Sequence, residues 1–181
     1  MQPENMQQQN MQQPNMQQDL VTPYLSNVAQ RLTAEGFTCG SNIQHEGNTL
    51  NLVAKKSGIE LSKFGNAETF FVMSYFPSLS VEQLRGFSAW AYNYAKSIKQ
   101  FPLPCGFFEV VTCYPVMLVN DLSEQVATAI RSEPATKHFG SFEFPVIKHL
   151  PSGYVYYLDN SPMWGAAYFK GFRETTQRIL S

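Results

Sequence analysis

A five-residue repeat, Met1-Gln-Pro-Glu-Asn, Met6-Gln-Gln-Gln-Asn, Met11-Gln-Gln-Pro-Asn and Met16-Gln-Gln, fills the start of the chain and stops at Asp19. The repeat has no aromatic or β-branched residue, so it buries too little apolar surface to offset the entropy of ordering itself. Residues 1–18 are therefore expected to form a disordered tail, and residues 19–181 a single globular domain of ordinary size. Evenly spaced methionine thioethers could chelate a soft metal, but one Met in five is too sparse for that, and a plain tail is the better reading.

The folded stretch carries its first helix signals at Thr22 and Pro23, followed by Tyr24, Val28 and Leu32 four residues apart and Gly36 as the stop. Phe37–His45 and Thr49–Lys56 read as a hairpin, and Phe70–Tyr75, apolar on both sides, reads as a central or doubly covered strand. Ser80 and Gln83 form a capping box ahead of a long helix whose stripe is Leu84, Phe87, Ala91, Tyr94 and Ile98. Phe107–Val119 is a strand that Pro115 should bulge or push to an edge. Asp121 with Glu124 opens a short helix. Ser141–His149 and Tyr154–Leu158 form a second hairpin, and Asn160-Ser161-Pro162 starts a last helix. The order is α-β-β-β-α-β-α-β-β-α. Hairpins outnumber crossovers, which predicts an α+β fold with a largely antiparallel sheet of about six strands and helices mainly on one face.

Composition narrows the function classes. Thirteen Lys+Arg face fourteen Asp+Glu, Glu4 being the tail's only charge, and the basic residues are scattered, so nucleic acid is disfavoured as a partner. No apolar run approaches the length needed to span a bilayer. Cys39, Cys105 and Cys113 make an odd set without CxxC or metal-ligand spacing, which points to reduced thiols and a cytoplasmic address. Phosphate-cradling and nucleophile-elbow motifs are absent, and no cofactor or metal is implied.

The layout α-β-β-β-α-β is similar, in topology only, to the metal-dependent nuclease core. That core needs an acid on the second strand and Asp/Glu-x-Lys on the third; here Thr49–Lys56 has no acid, and Glu68 has no Lys two residues on. Glu60-Leu-Ser-Lys63 has the wrong spacing. An enzyme would have to gather residues from separate elements, and Cys105, His138, His149 and Glu109 are the groups to suspect, as in a hydrolase or a degenerate nuclease.

Aromatic residues crowd the C-terminal third. Phe142 and Phe144 share one face of a strand, Tyr154 and Tyr156 one face of the next, and Met163, Trp164, Tyr168 and Phe172 form a helical row. Core packing accounts for such rings in most proteins. Because only 15% of the residues are charged, they also suit a contact surface, since Tyr, Trp and Met dominate protein interfaces. The expectation is a non-enzymatic protein-interaction domain, self-associating as a homodimer. The element order is also similar, in topology, to small homodimeric chaperones that hold a client segment.

Overall fold

Two strands with apolar side chains on both sides organise the chain: β3 (Gly65–Ser78) places Phe70 and Val72 in one core cluster and Phe71 and Met73 in another, and β4 (Glu109–Asp121) does the same with Cys113 and Tyr114. Such strands require cover on both faces. The computed structural model describes residues 20–60, 65–100 and 109–181. The expected disordered tail and Cys105 lie outside these residues.

Around that pair runs a mixed sheet of seven strands. β1 (Thr38–His45) and β2 (Asn48–Glu60) form the expected hairpin across a Glu46-Gly47 turn with positive φ at both positions, and β2 continues antiparallel onto β3. β4 runs parallel to β3 on one side and to β5 (Ser141–Glu143) and β6 (Val146–His149) in succession on the other. β7 (Val155–Tyr156) closes the sheet antiparallel to β6. The α+β class, the strand number near six and the element order follow the sequence reading.

Helices cover both faces rather than mainly one. α2 (Val81–Ser97) and α3 (Glu124–Ser132) pack on the cluster holding Phe70 and Cys113, while α1 (Val21–Ala34) and α4 (Ala166–Leu180) pack on the cluster holding Phe71 and Tyr114. The doubly apolar β3 and β4 demand this arrangement.

Pro115 sits in the central strand, not at an edge. Cys113 and Val119 accept hydrogen bonds from Phe144 and Leu150, so residues of that parity turn their backbone toward β5 and β6. Pro115 falls where β5 has ended and β6 has not begun, so its missing N–H interrupts no ladder. The predicted strand Ser141–His149 is accordingly split in two at Pro145.

Helix ends follow local chemistry. Ser80 accepts from the Gln83 amide at 3.1 Å while the Gln83 side chain accepts from the Ser80 amide at 2.9 Å, the capping box that starts α2. α3 begins on Ser123, whose hydroxyl accepts from Val126 N, because Asp121 is still in β4. α1 starts at Val21 without a side-chain cap, two residues before the predicted start at Pro23 with Thr22 as N-cap, and ends as expected in a Gly36 with φ of 86°. A single 3₁₀ turn, Met163–Gly165, leads into α4.

Candidate functional site

Along α2, residues 84, 88, 92 and 96 recur every fourth position and share one side of the helix. Leu84, Ser88 and Tyr92 are buried, and Lys96 is exposed at the end of the row. Facing them from β5 are Ser141 and Glu143, which alternation turns to the α2 side while Phe142 between them turns to α4. α3 and the following loop, with Ala129, Ile130 and His138, form the far wall. Between these elements lies a cleft of about 520 Å³, open on one side and floored by Phe144, Leu158 and Phe169.

A polar network crosses the cleft's inner wall. Glu143, 6% exposed, accepts a short hydrogen bond from the Ser88 hydroxyl on one carboxylate oxygen, and its other oxygen lies 2.8 Å from His138 Nε2. The His138 ring stacks on Tyr92 with centroids 3.9 Å apart and planes 16° from parallel. Tyr92 Oη in turn meets Ser141 Oγ at 2.5 Å. Behind Glu143, its β4 partner Cys113 points its thiol at Ala91 O, and burial, followed by the Glu143 charge, pushes that thiol well above its ordinary pKa. Cys113 is a packed thiol, not a nucleophile.

The order of contacts limits the chemistry. In a hydroxyl–imidazole–acid relay the imidazole stands between the other two, so that it can take the hydroxyl proton. Here the carboxylate stands in the middle and Ser88 donates to it directly. The arrangement locks side chains in place and lines a cavity; it does not activate Ser88.

The other suspected groups are scattered. Glu109 is enclosed at the start of β4 and pairs with Lys99 at 2.5 Å. His149 Nε2 lies 2.9 Å from Asn120 O and its Nδ1 lies 2.6 Å from Ser152 Oγ. Among the described residues no hydrogen bond joins His138, His149 and Glu109 to one another. Glu68 on β3 is fully enclosed, accepting from Ser57, Lys55 and the Gln100 amide, so it offers no open face to a metal. Among the described residues no three His, Cys, Asp or Glu side chains converge as metal ligands would, and no helix is long and apolar enough to cross a membrane.

The C-terminal rings divide. Phe144 and Phe172 are buried against Tyr114, 1% and 6% exposed, so these two form core rather than surface. Phe142 is half-buried and touches Tyr168 and Phe172. Tyr156 is half-buried under the Arg131 guanidinium. Tyr154, Met163 and Tyr168 are exposed, and Phe139, beside His138, is 74% exposed. The Trp164 side chain lies outside the described residues.

Ser88, Tyr92, Ser141 and Glu143 were not foreseen. The signal was present: Ser88 interrupts an apolar stripe on α2, and Glu143 alternates with Phe142 and Phe144. With helices expected mainly on one face, nothing in the sequence marks Glu143 for burial; a second helical layer buries it.

Comparison of the chain with protein-family models, with curated proteins and with solved structures gives no match.

Proposed function

We propose that the domain is a non-enzymatic protein-interaction module, chaperone-like in holding a segment of a partner, and that the α2–α3–β5 cleft receives an apolar side chain of that segment. One observation carries the reading. The cleft has the volume of a ligand pocket, about 520 Å³, and apolar walls, while its inner polar groups are already paired with one another. An apolar guest therefore leaves no inner donor or acceptor stranded. Phe139 beside the cleft, with Tyr154, Met163 and Tyr168 elsewhere, supplies exposed apolar area that a partner or a second copy would cover.

Ala89 lines the cleft and is exposed, so Ala89→Trp sets an indole in the opening with little cost to the fold. Random dodecapeptides displayed on phage and selected against the full chain should converge on sequences with a large apolar residue, and Ala89→Trp should lose them. A wild-type selection that stays at background, or an unaffected Ala89→Trp, overturns the reading. Sedimentation decides in parallel between a monomer and a self-associating form.

A second reading, a hydrolase, is favoured by the His138–Glu143 contact in an open cleft. With Nε2 engaged, Nδ1 is the nitrogen that could serve a substrate proton. Hydrolysis of p-nitrophenyl acetate that His138→Gln abolishes would favour it over binding.

A further inference from the structure

Besides His138, four acidic or basic residues line the cleft: Arg85, Lys96, Glu133 and Glu143. Three have partners within it. Arg85 grips Glu133 with two hydrogen bonds of 2.6 and 3.0 Å, and both oxygens of Glu143 are taken by Ser88 and His138. Lys96 stands apart. Its ammonium lies 5.3 Å from the centroid of the Tyr92 ring, and among the described residues no carboxylate comes within ion-pair distance of it.

The four charges sum to zero, but Glu143 is buried on the inner wall with both oxygens hydrogen-bonded, which leaves Lys96 as the exposed charge without an ionic partner among the described residues at the opening, beside apolar walls. The quadrupole of the Tyr92 face holds the ammonium at the lip, where it meets a guest without being buried. Resting on the protein-binding reading above, we infer that the partner segment is acidic: it places an apolar side chain between Leu84, Ile130 and Leu158 and sets a carboxylate from an adjacent Asp or Glu against Lys96. A basic segment would bring like charge to Lys96, and a neutral one would leave it unmatched.

The test selects random dodecapeptides against wild type and against Lys96→Glu. Wild type should enrich Asp and Glu beside Leu, Ile, Phe or Met, and Lys96→Glu should enrich Lys and Arg at the same positions. In a synthetic wild-type binder, replacing that Glu by Gln should weaken binding about threefold to fivefold at low salt, the range of an exposed ion pair, with the gap closing at high salt. Peptides with no charge preference that Ala89→Trp still blocks would overturn the acidic partner and leave the cleft as a binding site. No enrichment with either protein would overturn both. Dodecanoate, which joins an apolar chain to a carboxylate, is the competitor: displacement of bound peptide at concentrations below the peptide's own Kd would make the guest a lipid acid and overturn a protein partner.

Discussion

Under α1 and α4 the sheet meets Phe71, Tyr114, Phe144, Phe169 and Phe172 packed ring on ring, Phe71 lying flat on Tyr114 at 4.5 Å with its edge-on neighbour Phe37 at 5.6 Å. Under α2 and α3 the same sheet meets rings as well, Phe70 and Phe87, but the layer stops short at β5 and a polar network takes over. The difference starts in β5. Its three residues alternate Ser141, Phe142, Glu143, so one face receives a ring and the other receives a hydroxyl and a carboxylate. Both faces keep a recess of similar size, about 550 Å³ beside Tyr114 and Phe172 and about 520 Å³ beside Glu143, and the second is built around a buried polar network. The C-terminal rings thus stabilise the α1–α4 face, and two of them, Phe144 and Phe169, also floor the cleft on the other side.

The largest expected effect tests whether the α1–α4 face is core. Phe71 is fully buried between Phe37 and Tyr114, and Phe71→Ala should cost about 3–5 kcal/mol, the range for truncating a buried ring. Urea denaturation followed by circular dichroism would read this as a lower midpoint at unchanged slope. A cost below about 1 kcal/mol would mean that this face tolerates a hole and that the contrast between the faces is false.

A smaller effect is expected on the other side. Glu143→Ala strips Ser88 and His138 of their shared acceptor, and leaving buried polar groups unpaired costs about 1–3 kcal/mol. Glu143→Gln keeps the shape and one acceptor oxygen, and should recover most of that loss. If Glu143→Leu proves more stable than wild type, the network is kept for something other than stability, which would sharpen the case for the cleft as a working site.

Much of this was legible from residues. The capping box at Ser80 and Gln83, the hairpin around Gly47 and the doubly apolar β3 are local signals, and each is set by a few neighbours in sequence. Pro115 misled because its ladder gap is made by Pro145, thirty positions away, and only tertiary register shows that the two coincide. The site was less legible for the same reason. His138 stood out as a titratable group, but its partners come from α2 and β5, and nothing local marks a Glu between two phenylalanines for burial until a helix is known to cover it. Burial of Phe144 and Phe172 likewise depends on α4 folding back over β4 and β5, which no local pattern specifies.

The smallest effect concerns two clasps that the faces share. Arg85 and Glu133 tie α2 to the end of α3, and Arg178 and Glu35 tie α4 to the end of α1, each through two hydrogen bonds of 2.6 and 3.0 Å. Both pairs are solvent-exposed, so screening and side-chain entropy cancel most of their Coulomb gain, and neither Arg85→Ala nor Arg178→Ala should move the urea midpoint noticeably. Their effects on binding should separate. Arg85→Ala frees a Glu133 carboxylate in the cleft wall and should weaken an acidic peptide by about threefold at low salt, while Arg178→Ala, on the ring-packed face, should leave it unchanged. Equal losses from the two would mean that the peptide responds to the net charge of the whole chain, and the cleft would then have no claim over the opposite face.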